Sequence, residues 1–204
     1  DVTIVYIRQP ISCLFLNRFG NKLFIADDKH LIKEDNKAVS FHEDTVCDML
    51  SMGSNFVSGS INGVVKVQDR YAIHNINTVK GPMTIRWFRK RLIWILHNHS
   101  HIIEYNLDTY TMTRTFEPLR VQHLLGFEIA KEHGYICTPD KIMEIDGSGH
   151  IKPIFVPNVV WSCIGFENFF HVLLGTTKGH IYKIVNSQCV PYELKHKRAL
   201  THVG

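Results

Sequence analysis

The sequence lacks the cysteine pattern of a disulfide-stabilised or zinc-binding protein. It has five cysteines, an odd number, and they are widely spaced with no Cys-x-x-Cys pair. Disulfide frameworks use paired cysteines and occur mainly in oxidising compartments. We therefore expect free thiols and an intracellular location, in the cytoplasm or the nucleus.

Membrane-spanning and targeting segments are also missing. No apolar run reaches the ~18 residues of a membrane-spanning helix, and the first residues lack the basic and apolar regions of a signal peptide. Because the chain begins at Asp1 rather than at a methionine, we expect it to be a piece of a longer protein or its ordered part.

Strong basic charge and catalytic motifs are absent too. The 23 Lys and Arg residues barely exceed the 19 Asp and Glu residues, whereas a dedicated nucleic-acid binder shows a clustered excess. The sequence contains no Gly-x-Ser-x-Gly nucleophile motif, and the glycines at 147 and 149 precede no helical pattern, which excludes a phosphate-binding loop. We predict that the protein is not an enzyme and uses no cofactor or metal.

What the chain contains is an internal repeat of about 40 residues. Short apolar segments recur 32 to 42 residues apart, and a second apolar position follows each of them by seven to nine residues. Two sets of apolar positions whose spacings change in parallel indicate a repeated structural unit. The first set is Phe24, Phe56, Ile93, Tyr135 and Leu173, and the second is Leu31, Val65, Ile102, Ile142 and Ile181.

Each repeat contains four predicted strands, and no helical pattern interrupts them. In the second repeat the strands are TVCDMLSM, NFVSGS, GVVKVQD and YAIHNINTV, and the first three have the composition of buried strands. The Asn62-Gly63 pair is typical of a two-residue hairpin turn, because both residues tolerate positive φ. Four strands every ~40 residues predict an all-β fold, a β-propeller of four-stranded antiparallel blades.

The second repeat resembles the WD-repeat family. His42 and Asp44 stand where the family has its Gly-His dipeptide and the loop after it, and VSGSINGVVKV stands for the second strand, tight turn and third strand. Gln68-Asp69 replaces the Trp-Asp pair that names the family. The other repeats share the spacing but lack the histidine, so we expect most of the family's hydrogen-bond network to be missing. Propellers of other families are the alternative.

We predict one propeller domain over residues 1–204 that is incomplete at both ends. Single strands, VTIVYIR and RALTHVG, precede and follow the five repeats. We predict that about five visible blades belong to a seven-bladed ring. The alternative is a closed ring of five or six blades. In either case the ring must close, because exposed edge strands promote aggregation. The predicted blades cover approximately 10–43, 44–80, 81–118, 119–157 and 158–195.

The histidines of HNHSH, at 97, 99 and 101, alternate as metal ligands on a strand would. Alignment with the second repeat places His97 opposite Ser60 and His99 opposite Asn62, so the run spans a hairpin turn, where side chains splay apart. A metal site needs imidazoles that converge on one ion. We therefore expect exposed turn residues instead of metal ligands.

Partner-binding residues are predicted in two sets of turns. RWFRKR at 86–91 and FENFF at 166–170 place aromatic and basic side chains at hairpins between first and second strands, where some must face solvent. On this "bottom" face we predict Trp87, Arg89, Lys90, Phe169 and Phe170. In the turns between second and third strands, the "top" face, we predict Asp28, Lys29, Asn62, His97, His99 and Lys178.

The resemblance implies a non-enzymatic scaffold that binds other proteins of a multisubunit intracellular complex. One alternative is a propeller that binds nucleic acid or anionic lipid through 86–91 or 195–198, although these clusters fall on opposite faces and do not make one footprint. A second alternative is a substrate-receptor or adaptor subunit of a ubiquitin ligase. An enzyme or metalloprotein is the third. No membrane span and no small-molecule substrate is predicted.

Overall fold

The structure is a computed structural model that describes residues 10–17, 22–34, 37–52, 55–168, 170–195 and 200. These residues form twenty strands in five antiparallel sheets of four strands each. The predicted all-β fold with four-stranded antiparallel units is therefore confirmed. No helix in the described part of the chain is long and apolar enough to span a membrane.

Each sheet is a meander whose strands pair in chain order. The first sheet contains β1 (Ile11–Asn17), β2 (Lys22–Asp27), β3 (Leu31–Glu34) and β4 (Lys37–Phe41). The second contains β5 (Val46–Met52), β6 (Asn55–Ser60), β7 (Val64–Gln68) and β8 (Ile73–Asn77). The third contains β9 (Met83–Arg89), β10 (Leu92–His97), β11 (His101–Asn106) and β12 (Thr111–Thr115).

The last two sheets follow the same plan. The fourth contains β13 (Gly126–Ala130), β14 (His133–Cys137), β15 (Ile142–Ile145) and β16 (Ile151–Pro153). The fifth contains β17 (Trp161–Asn168), β18 (His171–Thr176), β19 (His180–Val185) and β20 (Gln188–Lys195). Two compact units are distinguished by their contacts: unit 1 is Asp1–Ile85 with Tyr105–Thr113, and unit 2 is Arg86–Glu104 with Arg114–Gly204.

The same irregularity marks the first strand of three sheets. The register of β1 with β2 shifts between Ile11 and Cys13, that of β5 with β6 between Val46 and Asp48, and that of β17 with β18 between Trp161 and Cys163. A β-bulge bends and twists its strand locally. Its recurrence at one position shows that the repeat extends from the apolar pattern to the backbone geometry.

Unit 1 buries an apolar core between its first two sheets. Phe24 and Phe56 stack with ring centroids 4.6 Å apart, and Met49 and Ile32 are fully buried around them. The alternation of strand side chains places these residues on inner faces.

The core of unit 2 contains larger aromatic residues. Trp94 is fully buried, with its ring 4.2 Å from that of Phe88 and 4.7 Å from that of Phe116. A separate cluster between the fourth and fifth sheets includes Trp161, which packs edge-on against Tyr182 at 5.3 Å. Buried aromatic rings contribute more apolar contact than any other side chains.

A buried hydrogen bond joins His42, the histidine of the second repeat, to the second sheet. The Nε2 atom of His42 lies 2.8 Å from the hydroxyl oxygen of Ser58, and both residues are fully buried. Burial first, and then the positive charge of Lys66, lowers the pKa of His42 to about 4. His42 is therefore neutral at physiological pH and ties the loop before β5 to the middle of β6.

The third sheet contains a different polar network. The indole N–H of Trp94 donates to the carboxylate of Glu104 at 2.9 Å, and Arg114 approaches the same carboxylate at 3.3 Å. Arg114 also donates to the carbonyl of Gly147 at 2.8 Å. An aromatic donor, a buried carboxylate and a cation thus lie on β10, β11 and β12 in turn, and the cation reaches the following sheet.

The fourth sheet repeats this arrangement with other side chains. The hydroxyl of Tyr135 donates to Glu144 at 3.1 Å, and the ammonium of Lys152 lies 2.8 Å from the same carboxylate. Ser187 of the fifth sheet donates a further hydrogen bond to Glu144 at 2.7 Å. Burial alone would raise the pKa of Glu144, but the bonds from Lys152 and Ser187 outweigh it and lower the pKa.

Candidate functional site

Five of the six residues predicted on the top face lie in turns between second and third strands. Asp28, Lys29, His99 and Lys178 are exposed, and Asn62 is half-buried. The Asn62 side-chain oxygen accepts hydrogen bonds from the Ser60 hydroxyl and, at 3.1 Å, from the Val64 N–H. Asn62 therefore shapes its own turn, and a role of these turns in partner binding stays a prediction.

His97 is the sixth residue of that set, and the expected exposure is wrong. It is the last residue of β10 and is only 1% exposed. The alignment with Ser60 was right, but the aligned position points inward because it ends the second strand of the repeat rather than beginning the turn. A buried side chain does not contact a partner, so His97 is removed from the predicted surface.

A buried polar residue ends the second strand of four sheets and directly follows it in the fourth sheet. In four sheets its side chain is bonded within the following turn. Asp27 accepts from Lys29 and Leu31, Ser60 donates to Asn62, Thr138 donates to Asp140, and Thr176 accepts from His180. The five residues are Asp27, Ser60, His97, Thr138 and Thr176.

His97 differs from the other four because neither of its ring nitrogens has a hydrogen-bond partner among the described residues. Burial first, and then the nearby His101, lowers the pKa of His97 to about 4. The imidazole is therefore neutral at physiological pH. The part of the chain that the structure describes contains no group of three or more His, Cys, Asp or Glu side chains placed to hold a metal ion.

The bottom-face prediction begins at the hairpin between β9 and β10. Arg89 and Lys90 are exposed at its tip, and the Trp87 indole N–H donates to the Lys90 carbonyl at 3.1 Å. The Arg89 guanidinium lies 5.1 Å from the ring centre of Phe88. Trp87 is thereby fixed against the turn, and the two cations project from it.

Arg86 does not contribute to this exposed cluster. Its guanidinium makes a bidentate pair with Glu128 on β13, with distances of 2.9 and 3.0 Å. Bidentate arginine–carboxylate pairs are among the stronger hydrogen-bonded contacts in proteins. The basic run at 86–91 therefore offers fewer free cations than its sequence suggests.

The hairpin between β13 and β14 contains two residues that the sequence did not single out. Lys131 and Glu132 both have positive φ, 50° and 58°, a conformation that glycine or asparagine adopts more easily. Glu132 pairs with Arg89 at 3.3 Å, and the Lys131 ammonium donates to the side-chain oxygen of Asn186 at 2.9 Å. Because this turn contains neither Gly nor Asn at its tip, the sequence did not indicate these contacts with Arg89 and Asn186.

Phe170 lies at the tip of the hairpin between β17 and β18 and is 62% exposed. The side-chain oxygen of Asn168 accepts hydrogen bonds from the N–H groups of Phe170 and His171, at 2.8 and 3.1 Å. The Lys131 ammonium lies 6.0 Å from the Phe170 ring centre. Phe169, the other predicted aromatic residue, lies outside the described residues.

Side-chain contacts thus join the hairpins between the first and second strands of the third, fourth and fifth sheets into one exposed area of unit 2. Arg89 contacts Glu132, and the neighbouring Lys131 contacts Phe170. This area contains aromatic residues and an arginine, which are enriched at protein interfaces, together with further charged groups. We call it the hairpin surface, and its residues are Trp87, Arg89, Lys90, Lys131, Glu132 and Phe170.

Unit 2 also has an open groove of about 570 Å³. The connection after β12 forms one wall, with exposed Glu117 and Arg120 above buried Leu119, and Met143 and Ile151 form the other. Its volume lies within the range of small-molecule sites. Among the described residues that line the groove, Glu117 and Arg120 are the charged ones.

Comparison with solved structures identifies proteins with a similar fold. No protein-family model matches the chain, and no curated protein does. A computationally designed protein, Ika8, matches with a TM-score of 0.71 at 16% identity, over 94% of this chain and 64% of the other. The WD40 repeats of RRP9 match with a TM-score of 0.69 at 13% identity, over 92% and 63%.

The β-propeller domain of Cps50 (Swd1) from Myceliophteria thermophila gives a TM-score of 0.59 at 17% identity, over 76% of this chain and 60% of the other. The chain has a WD40-like β-propeller fold. It spans 60 to 64% of the length of these three structures. At such low identity the likeness concerns the fold, and function depends on the particular surface residues.

Proposed function

We propose that this WD40-like propeller is a non-enzymatic scaffold that binds other proteins of an intracellular multisubunit complex through its hairpin surface. The observation that carries the proposal is the exposed phenyl ring of Phe170, held on a tight turn and joined through Lys131 to the neighbouring hairpins. Interface hot spots are enriched in tryptophan, tyrosine and arginine, and the hairpin surface places Trp87 and Arg89 beside this ring's neighbours.

The rigidity of the hairpins supports this role. Hydrogen bonds within each turn fix the Trp87 indole and the Phe170 backbone, and a contact between turns positions Lys131. A surface that is ordered before binding loses little conformational entropy when a partner docks. A substrate receptor or adaptor of a ubiquitin ligase is one form that this scaffold could take.

The alternative of nucleic-acid or lipid binding receives less support. Arg86 is paired with Glu128, and Arg89 with Glu132, so two of the four cations in 86–91 have carboxylate partners. Of the second cluster, residues 196–198 lie outside the described part of the chain, and no side-chain position is described for Lys195. Binding to phosphates requires several cations along one footprint.

Phe170→Asp tests the scaffold proposal. We expect the variant of the full protein to lose most of its co-purifying partners, because a carboxylate replaces the exposed aromatic ring of the surface. The readout is quantitative mass spectrometry of proteins that co-purify with each variant from the native cell.

Phe155→Asp is the matched control, since Phe155 is 93% exposed, belongs to unit 2 and lies outside the hairpin surface. We expect it to retain the partners. Retention by Phe170→Asp together with loss by Phe155→Asp would place the contact elsewhere, and absence of any stable partner in the wild type would refute the scaffold role itself.

A further inference from the structure

We propose that the hairpin surface recognises a short acidic segment of the partner that also carries an aromatic side chain. This inference rests on the proposed function and names the chemistry of its partner. The positive groups of the surface would pair with carboxylates of the segment, and the partner's aromatic ring would pack against Phe170.

Two cations on the surface are available for such carboxylates. Lys90 is exposed at the tip of its turn. The Lys131 ammonium donates to the amide oxygen of Asn186, which is a neutral acceptor, so this bond leaves the positive charge uncompensated. Charge complementarity at an interface favours specific orientation and fast association.

Arg89 is a third group that an acidic segment could recruit. Its pair with Glu132 is long, at 3.3 Å, and the two side chains are 45% and 55% exposed. Exposed ion pairs of this kind contribute little to stability. A partner carboxylate could therefore replace Glu132 as the acceptor without disturbing the fold.

Phe170 supplies the apolar part of the site. The Lys131 ammonium is 6.0 Å from its ring centre, so a carboxylate that binds Lys131 would bring its neighbours in the segment close to the ring. Alternation of acidic and aromatic residues in an extended segment would satisfy both contacts, because aromatic rings pair favourably in offset or edge-on geometry.

The same features disfavour a phosphate backbone as the ligand. A phosphate backbone needs several cations along one footprint, whereas this surface offers only Lys90, Lys131 and the exposed Arg89. Arg86, which the sequence placed in the basic cluster, is committed to Glu128. The cations of the surface can pair with a few carboxylates of a short segment, and the aromatic ring can pack against an apolar side chain of the same segment.

The probe is a fluorescein-labelled peptide of alternating glutamate and tyrosine, and the control peptide has glutamine in place of glutamate. Anisotropy titrations with the purified protein compare the wild type with Lys90→Glu/Lys131→Glu. We expect the charge reversal to weaken binding of the acidic peptide roughly tenfold or more, and the glutamine peptide to bind weakly to both.

Arg70→Glu/Lys141→Glu is the matched control variant. It makes the same change in net charge at two exposed cations that lie outside the hairpin surface and outside the predicted top-face residues, and we expect it to bind the acidic peptide as the wild type does. Circular dichroism checks that both variants fold. Equal weakening by both double variants would show a non-specific charge effect and overturn the proposal, as would binding unaffected by Lys90→Glu/Lys131→Glu.

Parallel titrations use a polyuridylate oligonucleotide and vesicles containing phosphatidylserine. Tighter binding of either probe than of the acidic peptide, lost in Lys90→Glu/Lys131→Glu, would assign the surface to nucleic acid or to membrane and overturn the acidic-segment proposal. Failure of the peptide alone, while Phe170→Asp still releases co-purifying proteins, would reject the acidic partner and leave the scaffold role standing.

Discussion

At the residue scale, the buried polar position at or directly after the end of each second strand shows that the repeat accepts different side chains there. Aspartate, serine and threonine at this position all bond to the turn that follows. His97 fills the same position without a hydrogen bond from the described residues. Burial of unpaired polar atoms costs free energy, so we expect this turn of the third sheet to be less stabilised than its counterparts.

Stability should depend on pH through His97. Its pKa is about 4 in the folded protein and ordinarily 6.5, so the unfolded chain binds the proton more readily. The free energy of unfolding is therefore highest above pH 6.5. As the pH falls from 6.5 toward 4, the unfolded chain binds the proton and the free energy of unfolding decreases, by up to about 3 kcal/mol. Urea denaturation of wild type and His97→Thr at several pH values measures this.

We expect His97→Thr to reduce the change in unfolding free energy between pH 6.5 and pH 4. His42 has a similarly lowered pKa and remains in both proteins, so some pH dependence persists. An identical pH profile in wild type and variant would contradict the assignment to His97.

The buried carboxylate of Glu144 should be important for stability. Glu144→Gln removes the charge that faces Lys152 and weakens the acceptor for Tyr135 and Ser187. We expect a loss of about 1–3 kcal/mol in the free energy of unfolding. Glu132→Gln makes the same substitution in the exposed pair with Arg89 and should change stability by less than about 0.5 kcal/mol. Equal effects of the two would refute this assignment.

At the element scale, the strands were predictable because alternating apolar residues and turn residues recur in every repeat. The Asn62-Gly63 turn illustrates this, since its sequence alone specifies the hairpin. The Lys131-Glu132 turn was missed because neither residue favours positive φ. The link from Trp94 through Glu104 to Arg114 was missed because its members lie on three different strands.

Gly63→Ala should destabilise the hairpin between β6 and β7. Gly63 has a φ of 88°, and an added Cβ would lie 2.7 Å from the Thr78 carbonyl oxygen. We expect a loss of about 1–3 kcal/mol, measured as a shift of the urea midpoint. At Gly147 an added Cβ would come no closer than 3.4 Å to its nearest neighbour, Phe88, so Gly147→Ala should have a much smaller effect.

At the scale of the whole molecule, the repeat of about 40 residues specified the fold class, and the solved structures agree with it. The number of blades and the blade boundaries stay predictions. The hairpin surface was predicted in part: Trp87, Arg89, Lys90 and Phe170 lie on it, whereas Lys131 and Glu132 are the contacts that join the hairpins. Contacts between separate repeats carry no local sequence pattern.

Site-specific photo-crosslinking of the full protein tests the central claim most directly. A photoreactive phenylalanine analogue replaces either Phe170 on the hairpin surface or Phe155, a more exposed aromatic residue of the same unit. After irradiation in the native cell, we expect discrete crosslinked partner proteins from position 170 and none from position 155. Crosslinks from position 155 without any from position 170 would contradict the assignment of the hairpin surface as the partner-binding face.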